Sequence, residues 1–136
     1  MTFVVDASVT LAWCFGDEGS ELAERVLDLL AGEEALAPAI WPLEVANGLR
    51  TAERRGRLDL ADMAHLRELL VSLPIEVESV ALDVALGEVT ELARQLDLTA
   101  YDAAYLALAA RHGVALATVD ARLRRACERA GVELMG

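Results

Sequence analysis

The stretch Thr2-Phe3-Val4-Val5-Asp6, followed directly by Ala7-Ser8-Val9-Thr10-Leu11-Ala12-Trp13-Cys14-Phe15, decides the fold class. Residues 2–6 are a short, β-branched, apolar run, which reads as a buried first strand. Asp6 ends it, and residues 7–15 read as a short helix. The same handover recurs along the chain. Ala35-Leu36-Ala37 is a second strand, ahead of a helix that Pro42 opens and Gly56 closes. Ile75-Glu76-Val77 is a third strand, residues 114–117 a fourth, and residues 132–135 a last edge strand. Strands alternating with helices make a parallel α/β sheet covered on both faces.

The remaining helices follow from apolar spacing. A turn at Gly16-Asp17-Glu18-Gly19-Ser20 leads into a helix over residues 20–31, with Leu22, Val26, Leu29 and Leu30 on one face. Residues 59–73 place Leu60, Met63, Leu66, Leu69 and Leu70 at core spacing before Pro74 breaks the helix. Residues 79–96 turn Val80, Val84, Val89, Leu92 and Leu96 inward. Thr99 begins the most apolar helix, residues 100–110, whose one acid is Asp102. A final helix spans residues 120–130. The chain of 136 residues shows no linker or internal repeat and reads as one domain over its whole length.

Composition narrows the chemistry. With 55% hydrophobic but only 4% aromatic residues, the core has to be aliphatic. No run approaches the roughly 18 apolar residues of a membrane span, and the first residues lack the basic region of a signal peptide, so the expectation is a cytoplasmic protein. Cys14 and Cys127 stand alone, without the spacing of a zinc motif or a disulfide framework, and read as buried reduced thiols. His65 and His112 are too scattered for a soft-metal centre. A net charge of -11 argues against a protein that coats duplex nucleic acid but leaves a nuclease open, because carboxylates gathered at a site contribute to that total. All 12 basic residues are Arg, which removes every mechanism that needs a catalytic lysine.

Four acids carry the functional reading: Asp6, Glu44, Asp102 and Asp120. Ligands of open parallel sheets bind beyond the carboxyl ends of the strands, where Asp6 and Asp120 fall. Glu44 and Asn47, three apart on an otherwise apolar stretch, share a helix face. Asp102 is costly to bury unpaired. Each acid save Glu44 also has a capping explanation: Asp6 for the first helix, Thr99 with Asp102 as a capping box, Asp120 for the last helix. Taken together, four carboxylates in one pocket would repel one another unless hard divalent cations such as Mg²⁺ or Mn²⁺ neutralised them. The chain therefore reads as a metal-dependent enzyme.

The segments Val4-Val5-Asp6-Ala7-Ser8, Pro42-Leu43-Glu44-Val45-Ala46-Asn47, Thr99-Ala100-Tyr101-Asp102-Ala103-Ala104-Tyr105-Leu106-Ala107-Leu108-Ala109 and Ala117-Thr118-Val119-Asp120 resemble, in order and spacing, the four acidic motifs of PIN-domain ribonucleases, above all the VapC toxins of toxin–antitoxin pairs. The resemblance covers essentially the whole chain. It implies a PIN-like three-layer α/β/α fold with a five-stranded, mostly parallel sheet, RNA as substrate and a small VapB-like antitoxin as partner. Carried over by position, Asp6, Glu44, Asp102 and Asp120 match the family's acids, and Ser8, Asn47 and Thr118 its polar neighbours. The implied chemistry is hydrolysis of RNA by metal-activated water with one or two Mg²⁺ or Mn²⁺ ions, leaving a 5′-phosphate and a 3′-hydroxyl. Asp6 and Asp102 would ligate directly, and Glu44 and Asp120 directly or through water. Arg50 and Arg54 from one arginine run, with Arg124 and Arg125 from another, are candidates to meet RNA phosphates.

Two alternatives belong beside this one. Val4-Val5-Asp6-Ala7-Ser8-Val9-Thr10 superficially resembles the first motif of haloacid-dehalogenase phosphatases, but that family wants a second acid where Ser8 stands, and a lysine. A non-catalytic module that kept the fold and its partner surface is the other. Leu, Val and Ala-rich helices between residues 20 and 73 suit a homodimer or an antitoxin groove as well as they suit a core.

Overall fold

The computed structural model describes residues 2–16 and 19–136; the middle of the turn predicted at Gly16 to Ser20, Asp17 and Glu18, lies outside the described residues. The chain runs β1 (Phe3–Val5), α1 (Ala7–Cys14), α2 (Glu21–Leu29), β2 (Ala35–Pro38), α3 (Trp41–Arg54), α4 (Leu60–Ser72), β3 (Ile75–Glu78), α5 (Leu82–Val84), a π-helical segment (Ala85–Val89), α6 (Thr90–Leu96), α7 (Ala100–His112), β4 (Leu116–Ala117) and α8 (Ala121–Ala130). The strands form one parallel sheet in the order β3-β2-β1-β4. Phe3, Val4 and Val5 are each fully buried. Successive strand side chains point to opposite faces, so both faces of β1 are covered, as the unbroken apolar run requires. Helix α7 packs across β1, β2 and β4.

The predicted fifth strand shrinks to one bridge. Leu134 pairs in parallel with Leu116, flanked by Leu116 N–H to Glu133 C=O at 2.9 Å and Met135 N–H to Leu116 C=O at 3.0 Å. β4 is two residues long and leaves no length for a longer ladder. The sheet is therefore four-stranded within the same three-layer fold.

Two helix faces depart from the predicted spacing. Leu60 and Leu69 are exposed on α4, where only Leu66 is buried, with Met63 and Leu70 packed partly against the core. Leu29 is likewise exposed on α2. Val80, predicted to point inward, is exposed because the helix begins only at Leu82, after an extended Ala81. One i→i+5 turn then interrupts the regular pattern, and Thr90 Oγ1 donates to the Ala85 carbonyl at 2.7 Å there.

Helices α1 and α3 meet closely at Gly48: a Cβ there would lie 2.6 Å from Leu11 Cδ1. The close approach sets Glu44, one turn earlier on α3, beside the helix that follows Asp6.

Candidate active site

The strand order reverses direction between β1 and β4, since β2 and β3 lie on one side of β1 and β4 on the other. The loops leaving those two strands part in opposite directions, which opens a crevice at their carboxyl ends. Asp6 stands immediately after β1, and Thr118, Val119 and Asp120 follow β4.

Asp6 is 3% exposed and hydrogen-bonded at both carboxylate oxygens. Its Oδ1 accepts from the Ser8 hydroxyl at 2.7 Å and from the Val9 N–H at 3.0 Å, and its Oδ2 accepts from Ser8 at 2.9 Å and from Thr118 at 2.5 Å. Ser8 Oγ in turn accepts from the Val119 N–H at 3.1 Å, and Thr118 Oγ1 from the Asp120 N–H at 3.0 Å. Two hydroxyls thus lock the ends of β1 and β4 together around one carboxylate. Burial pushes the Asp6 pKa up to about 6; hydrogen bonds from Thr118, Val9 and Ser8 oppose the rise, and the charge of Asp120 adds to it.

The capping explanations and the site coexist at Asp6 and Asp120. Asp6 caps α1 through Val9, and Asp120 caps α8 by accepting from the Leu123 N–H at 3.0 Å. Asp102 differs. The Thr99 hydroxyl caps α7 by accepting from the Asp102 N–H at 3.1 Å, but the return half of a capping box is missing, so the Asp102 carboxylate is not used up by the helix. Burial first, then the charge of Asp120, raises its pKa, and Arg122 works in the opposite direction. Asp102 and Asp6 therefore both feel Asp120.

Glu44 enters from the first turn of α3, and its Oε1 accepts a short hydrogen bond from the Tyr105 hydroxyl. Tyr105 is buried on α7, three residues after Asp102 and on the same flank. Burial, followed by the bond and charge of Glu44 and the charge of Asp6, pushes its pKa far above that of an ordinary phenol, so it stays a donor; the Ala7 N–H pulls the other way. The hydroxyl thus lies within reach of both Glu44 and the backbone just after Asp6.

Acids from four separate elements therefore approach one edge of the sheet. Among the described residues, however, no three His, Cys, Asp or Glu side chains already stand close enough to hold one ion. The donor set fits a hard cation in its chemistry: oxygen atoms only, with Asp6 and Asp102 both destabilised as anions by burial and by Asp120.

A PIN domain model matches residues 3–129. Ribonuclease VapC3 of Pyrobaculum aerophilum is 37% identical over 125 residues, which cover 90% of this chain and 92% of that protein. The chain belongs to the VapC family of PIN-domain proteins. Its fold is shared with the crystal structure of PAE2754 from Pyrobaculum aerophilum, at a TM-score of 0.70 and 26% identity over 93% of this chain and 84% of that one. VapBC2 from Rickettsia felis, bound to a DNA fragment from their promoter, shares the fold at a TM-score of 0.68 and 13% identity, over 99% of this chain and 98% of that one.

Within this PIN domain the predicted neighbours of the acids divide. Ser8 and Thr118 are both bonded to Asp6. Asn47 is exposed and bonds to none of the four acids. The arginines divide too. Arg124 donates to the Thr118 carbonyl at 2.8 Å, at the site itself, whereas Arg125 is exposed on α8. Arg50 is paired with Glu53 at 2.7 Å and Arg54 is exposed farther down α3, roughly 9 and 15 Å along the axis from Glu44 at 1.5 Å per residue. Arg122, which sequence reading did not single out from its run, is the arginine whose charge reaches Asp102. Tyr105 was also missed. Its signal was a phenol in an otherwise apolar helix, one turn after the helix's acid.

Proposed function

We propose that this PIN domain is a divalent-metal-dependent endoribonuclease and the toxin of a VapBC-type pair, acting on RNA in the cytoplasm and restrained by a VapB-like antitoxin. The observation that carries the reading is Asp6, buried at the switch point of the sheet and coupled to Asp120, whose charge also reaches Asp102. Family membership supports the nuclease, and the ribonuclease names of its relatives support RNA as the substrate. The VapBC2 structure from Rickettsia felis and that of FitAcB from Neisseria gonorrhoeae, with a TM-score of 0.66, support an antitoxin partner. A homodimer is compatible with the exposed Leu43, Leu82, Leu86 and Tyr101.

In this reading Asp6 and Asp102 hold one or two Mg²⁺ or Mn²⁺ ions, with Glu44 and Asp120 contributing directly or through water. When bound, such an ion lowers the pKa of a water and neutralises charge on the scissile phosphate. Ser8 and Thr118 keep Asp6 in one orientation, because donors behind a carboxylate fix its geometry. Asp120 is exposed at the start of α8 and so is accessible to an incoming strand. Arg122 and Arg124, beside the acids, provide positive charge for the phosphodiester.

The test is cleavage of labelled RNA with and without Mg²⁺ or Mn²⁺. Asp102→Asn is expected to keep the melting temperature and abolish cleavage, and Thr99→Ala to lower the melting temperature by removing the cap of α7 while cleavage persists. Cleavage that survives both chelation and Asp102→Asn would overturn the proposal.

A further inference from the structure

Tyr105 is 2% exposed, yet its packing alone does not call for a hydroxyl. Phenylalanine would fill the same space between α7 and the sheet. A buried phenol needs a partner, and the partner here is a carboxylate rather than a backbone carbonyl of the core. Glu44 is only half-buried and sits on a side chain with three rotatable bonds, so nothing in α3 itself selects one orientation for it. The ring of Tyr105, by contrast, is clamped within the main core. The rigid partner therefore dictates the position of the mobile one.

We propose that Tyr105 is a positioning residue for Glu44: its hydroxyl occupies Oε1, holds the carboxylate at the Asp6 side of α7, and leaves Oε2 as the oxygen offered to a cation. Asp102, one turn earlier on the same flank of α7, shares this helix as a platform, so α7 supplies one acid directly and orients a second from α3. This inference rests on the reading of Glu44 as part of a cation site.

The experiment compares Tyr105→Phe, Glu44→Gln and the double variant of the full chain. Mn²⁺ affinity is measured by electron paramagnetic resonance titration and RNA cleavage is measured alongside. Tyr105→Phe is expected to bind Mn²⁺ roughly tenfold more weakly, the scale seen when a partner behind a ligand is removed. If Tyr105 acts through Glu44, the double variant binds no more weakly than Glu44→Gln alone. Wild-type affinity in Tyr105→Phe, or losses that simply add, would overturn the role of Tyr105 while leaving Glu44 in place. Wild-type affinity in Glu44→Gln would instead overturn the underlying reading. A second measurement needs no variant of the core. The chain has two tyrosines, and in ¹³C-tyrosine spectra the Tyr105 resonance is expected to move with Mg²⁺ saturation, whereas a Tyr105 resonance unmoved at saturation rejects the proposal.

Discussion

Two regions share the carboxyl edge of the sheet and are built in opposite ways. Beyond β1 and β4 the edge is polar and interlocked, with Asp6, Ser8, Thr118, Val119 and Asp120 joined by a continuous set of hydrogen bonds. Beyond β2 and β3 it is largely apolar: a cavity of about 310 Å³ lies among Pro38, Ile40, Val80, Val89, Tyr101 and Leu108, with Glu78, Ser79 and Arg111 also in its lining. The two are separated by little more than the first turn of α7, which presents Tyr101 to the cavity and Asp102 to the acids. The difference lies in topology. Between β1 and β4 the chain leaves in opposite directions and backbone donors converge on the gap, so a desolvated carboxylate can be satisfied there. Beyond β2 and β3 the segment after β3 and helix α7 cover the edge, with Val80, Val89, Tyr101 and Leu108 lining the cavity.

The sharpest way to break this contrast is to neutralise its polar half. Asp6→Asn is expected to cut RNA cleavage by roughly 10³-fold, about 4 kcal/mol of barrier, whereas Ala104→Leu, which fills part of the apolar cavity, leaves the rate within about twofold. Cleavage assays on both variants check the pair.

The next effect is a dependence on pH. The Asp6 pKa stands at about 6 in the folded chain, against 3.8 for the free side chain. The folded state then binds the proton more tightly, so the stability of metal-free protein falls as pH rises from about 4 to 6 and levels off above. The full change is on the order of 3 kcal/mol for one such group. Denaturant melts in chelator across that window should show the slope in the wild type and its loss in Asp6→Asn. A wild-type stability that rises through the same window contradicts the desolvation account.

Thr118→Val comes third. It keeps the shape of a fully buried side chain but removes the donor to Asp6 and the acceptor for the Asp120 N–H. Lost bonds to a charged group and an orphaned N–H predict about 2–3 kcal/mol of destabilisation, readable in chemical melts. Smallest is the apolar half: Val80→Ser, at an exposed position on the cavity rim, should change stability by no more than about 0.5 kcal/mol.

Sequence reading recovered the elements wherever periodicity was strong. β1 to β4 and the starts of α1, α3, α7 and α8 fall within a residue or two of expectation, and Pro42 and Gly56 act where their backbone preferences place them. It was weaker where a face had to be chosen. Leu29, Leu60 and Leu69 have core spacing, yet they stand exposed because α2 and α4 are each covered on one narrow stripe only, and Val80 is exposed because it precedes the helix that begins at Leu82. The four acids were legible because each interrupts an apolar context. Tyr105 was not, because an aromatic in an apolar helix looks like core until its hydroxyl is seen to meet Glu44.

The order of apolar runs and acids along the chain was enough to determine a parallel α/β fold, its aliphatic core and the identity of the carboxylates at the strand ends, since side-chain period and burial cost are local properties. Only the tertiary structure decided that Asp6 is closed in by Ser8 and Thr118, that Arg122 rather than Arg125 reaches the acids, and that Glu44 is held by α7. Those facts join residues up to 112 positions apart, and contacts across such a separation are set by how strands are ordered in the sheet, which no local pattern encodes.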